Sequence, residues 1–219
     1  MVEIYDAHEQ GEIVKKWLQE NGSAIIMGLV IAFGGLFGFK QWQAWQLNNR
    51  QQAYAEFEVM NQLLTAGQLD AAMANFQNLQ EKHATSPYAS LAALQMGKAR
   101  LEVKQADLAV NHYRFVVDKG QPKEIRVIAR ERLARLLLDQ GQAAEALELI
   151  QGQTEIAGFE ARYAETRGDI FLALGREQEA IAAYQEALDA LEPGMGDRNT
   201  LELKIESLGV VKPDEVSAS

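Results

Sequence analysis

An uninterrupted apolar run near the N-terminus constrains this 219-residue chain more than any other feature. The run, SAIIMGLVIAFGGLFGF, covers residues 23–39, and no charged residue lies between Glu20 and Lys40. A helix needs about 20 apolar residues to cross a hydrocarbon core of about 30 Å, so the run is just long enough. Its four glycines would weaken a soluble helix but are common in membrane helices. The sequence therefore predicts one transmembrane helix over residues 22–40.

A run of this kind could also belong to a cleaved signal peptide or to a buried core helix. A signal peptide has a basic start and a cleavage site of small residues. Here five acidic residues and only two lysines precede the run, while aromatic residues and Lys40 follow it. A buried core helix fits less well because every side of the segment is apolar. An uncleaved membrane anchor is the preferred interpretation.

The chain is acidic, with a formal net charge of −10, and it has no cysteine. After residue 20 it keeps 26 acidic against 19 basic residues, which disfavours nucleic acid and anionic membrane surfaces as partners. The lack of cysteine excludes disulfides and thiolate metal sites. Lys15 and Lys16 precede the apolar run and Lys40 and Arg50 follow it. Charge therefore does not decide the orientation of the anchor.

The segments on either side of the run have different expected structures. The head, residues 1–21, carries apolar residues at helical spacing from Ile13 to Leu18. It is either a short amphipathic helix that ends at Gly22 or a mostly disordered tail. Neither proline nor glycine interrupts residues 40–57, so we expect the membrane helix to continue into the first helix of the next domain.

From Tyr54 onward the sequence has helical periodicity and regularly spaced breaks. The predicted helix pairs are 50–66 with 69–83, 87–103 with 106–119, 123–140 with 143–152, and 159–174 with 177–191. A last amphipathic helix is predicted over 198–208, followed by a flexible tail over 210–219.

The second helices of these pairs share a pattern. An alanine recurs at spacings of 37, 37 and 34 residues, at Ala72, Ala109, Ala146 and Ala180. A large apolar residue follows each alanine by four positions, namely Phe76, Tyr113, Ile150 and Tyr184. Five residues before the alanine stands a glycine in three of the four units, with Lys104 as the exception. A small residue one turn before a large one is typical of close helix packing.

The last unit, ETRGDIFLALGREQEAIAAYQEAL, resembles a tetratricopeptide repeat. Its pattern positions are Gly168, Phe171, Ala180, Tyr184 and Ala187, and Pro193 lies near its end. The earlier units keep fewer of these residues, but the period is regular. The predicted fold class is all-α: a single N-terminal transmembrane helix, then a tetratricopeptide-like helical-hairpin solenoid over residues 41–209 with a C-terminal capping helix.

No catalytic or cofactor-binding arrangement is evident. His8, His83 and His112 lie far apart in sequence, and the glycines occupy hairpin positions instead of a phosphate-binding loop. Paired acidic residues, such as Glu177 with Glu179 or Glu145 with Glu148, are expected to lie on solvated helix faces. We therefore predict a binding protein without enzymatic activity, cofactor or metal.

Two surfaces are candidates for binding. Groove positions carried over from tetratricopeptide repeats imply one polar row, formed by Asn61, Lys98, Arg135 and Asp169. A second, apolar row comprises Leu64, Leu101, Leu138 and Leu172. These rows would suit an extended peptide or a partner helix, although the leucines would equally suit packing between repeats.

The other candidate surface lies on the membrane helix. Ala24, Gly28, Ala32 and Gly35 share one helix face, and Gly34 and Gly38 lie on an adjacent face. Small residues at this spacing let membrane helices approach closely. This face is the predicted packing surface for a membrane partner.

The whole chain resembles the YfgM family, the ancillary subunits of the bacterial SecYEG translocon. The resemblance is most specific over residues 3–42, at Glu3, Ile4, Tyr5 and the run Glu20-Asn21-Gly22. It implies an inner-membrane protein with its N-terminus in the cytoplasm and its repeats in the periplasm. It also implies that the protein associates with SecYEG and with a membrane-anchored, prolyl-isomerase-like chaperone, and that it helps exported polypeptides onward. An envelope assembly scaffold that uses the same repeats for another membrane complex is the alternative.

Overall fold

The computed structural model describes residues 7–153, 157–191 and 196–209, and every regular element in them is an α-helix. The helices are α1 (Ala7–Thr65), α2 (Leu69–His83), α3 (Pro87–Glu102), α4 (Ala106–Lys119), α5 (Ile125–Asp139), α6 (Ala143–Ile150), α7 (Glu160–Ala173), α8 (Glu177–Asp189) and α9 (Arg198–Ser207). The predicted hairpins agree with α2–α8 to within two residues at each end. The all-α fold class is confirmed. The predicted tail over residues 210–219 lies outside the described residues.

Helix α1 contains the apolar run and continues beyond it without a break to Thr65. The expected helix end at Gly22 is therefore wrong. A helical glycine costs only about 1 kcal/mol relative to alanine, and no proline or capping residue stops the helix there. Within the described residues, α1 is the one helix long and apolar enough to cross a membrane, and no residue of its most apolar stretch is buried.

The chain divides into two compact units, Met1–Gln52 and Ala53–Ser219. In the first, α1 runs through the predicted boundaries at residues 21 and 40 without interruption. The two boundaries mark where the predicted transmembrane segment begins and ends, and they remain predictions. The second unit contains the last turns of α1 and all the other helices.

The hairpin turns of the second unit rely on left-handed backbone conformations. Gly67, Gly141 and Gly175 have φ values of 71°, 76° and 71° and follow the first helix of their hairpins. Lys104 stands at the same position of the second hairpin with φ 59°. A side chain in this conformation is strained by about 1–2 kcal/mol, so a glycine would be the ordinary choice there.

The core contains small–large pairs that recur sixteen residues apart in three of the four hairpins, and Met60 takes the place of the small residue in the first. A Cβ atom on Gly97 would lie 2.5 Å from Cε1 of Tyr113, and one on Gly168 would collide with the ring of Tyr184. Ala134 and Ile150 occupy the equivalent positions and are also buried. The large residue of the sequence pattern in the second helices thus packs against the small residue of the first helix.

Helix α9 covers the end of the last repeat. Its Leu201 and Ile205 are buried and join a cluster with Ala180, Tyr184 and Ala187 of α8. The Asp197 carboxylate begins the helix by accepting a hydrogen bond from the Thr200 backbone N–H at 3.1 Å. The predicted C-terminal capping helix is confirmed.

Candidate functional site

The polar row lies on the first helix of each hairpin, one position after the residue that packs against the second helix. Asn61 follows Met60, Lys98 follows Gly97, Arg135 follows Ala134, and Asp169 follows Gly168. Because α1, α3, α5 and α7 repeat at nearly constant spacing, these four positions share one register.

Ion pairs connect Arg135, a member of this row, to the next hairpin. Arg135 Nε lies 2.6 Å from Oε1 of Glu131 and donates to Oγ1 of Thr166 at 3.1 Å. A second guanidinium nitrogen of Arg135 lies 3.6 Å from the Glu165 carboxylate on α7. Arg135 therefore links α5 to α7, and its charge is largely neutralised.

Asp169 is held by a residue that lies outside the repeats. Lys204 Nζ on α9 donates to Asp169 Oδ1 at 2.7 Å and to Glu165 Oε1 at 2.9 Å. The Tyr184 hydroxyl donates to the same Asp169 oxygen at 2.8 Å. Burial, and then this carboxylate, raise the pKa of the Tyr184 hydroxyl. It therefore stays a hydrogen-bond donor.

Lys204 remains charged in this setting. Partial burial works to lower the pKa of Lys204, but its hydrogen bonds to Asp169 and Glu165 outweigh burial, and the pKa is raised overall. An ammonium between two carboxylates is a favourable charge-assisted arrangement. The network extends to Arg162, 3.5 Å from Glu131, which is 2% exposed. We call these residues of α5, α7 and α9 the charged cluster: Glu131, Arg135, Arg162, Glu165, Asp169 and Lys204.

The other two members of the polar row lie outside the charged cluster. Lys98 lies 3.7 Å from Glu102, and both side chains are about two-thirds exposed, at 69% and 64%. Such a pair contributes little to stability. Asn61 has an intermediate exposure on the last turns of α1.

The leucine row divides between packing and exposure. Leu64 and Leu138 are partly buried against the main core. Leu101 and Leu172 are exposed, at 37% and 41%. Two residues of the row therefore serve packing between helices, and the other two are accessible to a partner.

A cleft between α3 and α5 was not predicted from the sequence. Its volume is about 350 Å³, and it is lined by Leu91, Leu94, Gln95, Lys98, Ile125, Ile128 and Arg132.

Leu94, Glu131 and Glu165 each stand four residues before a polar-row residue, so they share its helix face. That spacing could have revealed them, whereas Lys204 has no counterpart in the repeat period.

The membrane-helix residues are open to their surroundings. In the described part of the chain, no atom outside the helix backbone would lie within 4 Å of a Cβ on Gly28, Gly34, Gly35 or Gly38. Ala24 and Ala32 are likewise exposed.

No group of three His, Asp or Glu residues among the described residues is arranged to hold a metal ion.

These hairpins, their small–large pairs and their shared register define a helical-repeat interaction protein of the tetratricopeptide class. The tetratricopeptide repeat-like domain family matches residues 15–210. An ancillary SecYEG translocon subunit of Aggregatibacter actinomycetemcomitans is 30% identical over 208 residues, covering 93% of this chain and 99% of the relative. A protein of the same name from Haemophilus influenzae is 29% identical and covers 84% and 90%. The chain therefore belongs to the tetratricopeptide repeat-like family and, within it, to the ancillary SecYEG translocon subunits, the YfgM family.

Solved structures agree on the fold alone. A MamA fragment from Desulfovibrio magneticus RS-1 superposes with a TM-score of 0.52 at 19% identity, covering 76% of this chain and 97% of the fragment. The relatives are named as ancillary translocon subunits, and this chain matches the tetratricopeptide repeat-like domain family. The protein is non-enzymatic.

Proposed function

We propose that this protein is a single-pass inner-membrane subunit that associates with the SecYEG translocon and helps exported polypeptides onward. In this proposal its repeats also bind a membrane-anchored, prolyl-isomerase-like chaperone. The protein acts by holding a binding surface beside the site where unfolded chains leave the membrane.

One observation carries the proposal: the similarity to a translocon subunit includes both the apolar run and the repeats. The Aggregatibacter relative is matched over 99% of its length. Tetratricopeptide repeats alone occur in proteins of many functions. A match that includes the apolar run as well preserves the complete arrangement of an anchor followed by repeats.

The proposed topology places residues 1–21 in the cytoplasm, residues 22–40 in the membrane and residues 41–209 in the periplasm, with 210–219 as a flexible tail. Exposed apolar side chains along α1 support membrane insertion of the middle segment. A reporter enzyme that is active only in the periplasm, fused after residue 209, should be active. Activity of a cytoplasm-specific reporter at that position would reverse the orientation.

The proposed contact with the translocon is the small-residue face of the membrane helix. Ala24, Gly28, Ala32 and Gly35 would let a translocon helix approach closely, and Gly34 and Gly38 widen the same surface. The open space around these glycines supports this assignment.

Site-specific photocrosslinking in intact cells tests the proposal. Photoreactive residues at Gly28 and Gly35 should crosslink to translocon subunits, whereas residues at Ile26 and Phe37, on the opposite side of the helix, should crosslink less. Residues at Lys98 and Leu101 should capture the chaperone or exported chains. Span crosslinks to a different envelope complex, with none to the translocon, would contradict the proposal and favour the assembly scaffold.

A further inference from the structure

The cleft between α3 and α5 differs chemically from the rest of the first-helix face. Its walls carry four aliphatic side chains, Leu91, Leu94, Ile125 and Ile128. Leu91 is 38% exposed, whereas Leu94 and Ile125 are largely buried, at 6% and 8%. Such a cleft can receive one or two apolar side chains from a partner.

Two cations stand at the rim of this cleft. Lys98 makes a loose, exposed pair with Glu102. Arg132 is exposed and lies beside the Tyr113 hydroxyl, whose pKa is raised by burial and partly lowered again by this guanidinium. No carboxylate lines the cleft among the described residues. An otherwise acidic chain therefore presents two cations, and no lining carboxylate, around a cleft whose walls are about half apolar and half polar.

The charged cluster, which lies C-terminal to this cleft in the sequence, differs because its carboxylates already have partners within the chain. The carboxylates of Glu131, Glu165 and Asp169 are each paired with a cation of the charged cluster. Lys204 of α9 donates a hydrogen bond to Asp169, the polar-row residue of the fourth repeat. This groove position is therefore already occupied by a side chain of the same protein. A partner would have to displace α9 to use it.

We infer that the α3–α5 cleft binds a partner segment in which leucine-type side chains alternate with carboxylates, and that binding is confined to the first three repeats. This inference rests on the proposed function, because it names the chemistry of a partner for the same groove. The apolar side chains would enter the cleft, and the carboxylates would meet Lys98 and Arg132. Electrostatic complementarity of this kind selects partners by charge sign.

Fluorescence anisotropy with the full chain in phosphatidylcholine nanodiscs tests the inference. The probe is a short labelled synthetic peptide in which leucines alternate with pairs of glutamates. Two comparison peptides carry lysine in place of glutamate or serine in place of leucine. We expect only the leucine–glutamate peptide to bind, and to bind more weakly as the salt concentration rises.

Charge-reversal variants locate the binding to the cleft. Lys98→Glu with Arg132→Glu should weaken binding of the glutamate peptide about tenfold. The same double variant should acquire binding of the lysine peptide, which a misfolded protein could not do. Lys82→Glu with Lys119→Glu is the matched control, since it makes the same charge change at two exposed helix-end residues that do not line the cleft.

Two leucines of similar exposure test the restriction to the first three repeats. Leu91→Ser should weaken binding several-fold, whereas Leu172→Ser in the fourth repeat should leave it unchanged. Equal binding of all three peptides, an equal loss in the Lys82/Lys119 control, or no binding at all would overturn the inference.

The outcomes for this inference and for the proposed function are separable. Translocon crosslinks from Gly28 without peptide binding would remove only the inference about the cleft. Charge-selective peptide binding without translocon crosslinks would keep the cleft and remove the translocon assignment.

Discussion

The ring of Tyr184 fills the space in which a side chain at Gly168 would stand. Tyr184 is fully buried, and its hydroxyl donates to the carboxylate of Asp169, the residue next to Gly168. The ring is therefore fixed at both ends, and α7 and α8 approach at the distance that a glycine permits.

Gly168→Ala should destabilise the repeat domain despite the higher helix propensity of alanine. Alanine normally adds up to about 1 kcal/mol to a helix, but overpacking against a fixed ring costs about 1–3 kcal/mol. Urea unfolding followed by circular dichroism measures the difference. In a Tyr184→Leu background the same substitution should cost less, because the smaller side chain leaves room. Equal costs in both backgrounds would show that the ring does not limit the packing.

Lys104→Gly should stabilise the second hairpin by about 0.5–1 kcal/mol, because it relieves the strain of φ 59° at a modest entropic cost. The midpoint of urea unfolding should rise. The reverse change, Gly141→Lys at the equivalent turn, should lower it. A lower midpoint for Lys104→Gly would mean that the lysine side chain stabilises the folded domain by more than its backbone strain costs.

His112 should make the stability of the domain depend on pH. Burial and the neighbouring Arg100 guanidinium lower the pKa of His112 from 6.5 to about 4. The unfolded chain therefore binds a proton that the folded chain does not. The contribution of neutral His112 to the free energy of unfolding is present above about pH 6.5 and is lost as the pH falls toward 4. This loss is at most about 3 kcal/mol.

His112→Gln should remove this part of the pH dependence. Urea unfolding at several pH values between 4 and 7.5 gives the free energy of unfolding of each protein. Between pH 6.5 and 4 this free energy should fall more steeply with decreasing pH for the wild-type protein than for the variant. Carboxylates that titrate in the same range contribute equally to both proteins. Parallel curves would show that His112 is protonated as readily in the folded state as in the unfolded chain.

Lys204→Met should loosen α9 because Glu165 and Asp169 would lose their shared ammonium. We expect a cost of about 1–2 kcal/mol for this partly buried arrangement. Amide hydrogen exchange of residues 198–207 should become faster. Lys98→Met, which breaks an exposed pair, should change stability by less than about 0.5 kcal/mol and is the matched control. Unchanged exchange in α9 would show that Leu201 and Ile205 alone hold it.

Charges placed in the apolar run should prevent membrane integration. Ile31→Lys with Phe33→Lys adds two lysines near the centre of the predicted span, each at a cost of about 2.5–3.5 kcal/mol. The wild-type protein should stay with the membrane pellet after alkaline carbonate extraction, and this variant should be released. Trp45→Lys with Leu47→Lys has the same spacing on the same helix but lies beyond residue 40, and it should stay in the pellet. Release of the wild-type protein would contradict the anchor.

Local sequence signals were sufficient for the helices and for the register of the repeats. Ser86 and Pro87 begin α3, with the Ser86 hydroxyl accepting from the Tyr88 backbone N–H at 3.2 Å, and glycines follow three of the first helices. The expected end at Gly22 was wrong because one glycine without another stop signal does not end a long helix. The period of 37, 37 and 34 residues placed the polar row one position after each packing residue.

Sequence patterns were thus enough for the long apolar helix, the helical hairpins and the helix face on which the candidate groove lies, because charge-free length, turn residues and periodicity are local properties. Which positions on that face remain accessible depends instead on how the helices pack. Lys204 comes from outside the repeat period and reaches Asp169 from 35 residues away in sequence. The cleft at Leu91 and Ile128 exists because α3 and α5, from separate hairpins, each supply part of its lining. Such contacts depend on how distant segments pack, and no spacing within one repeat encodes them.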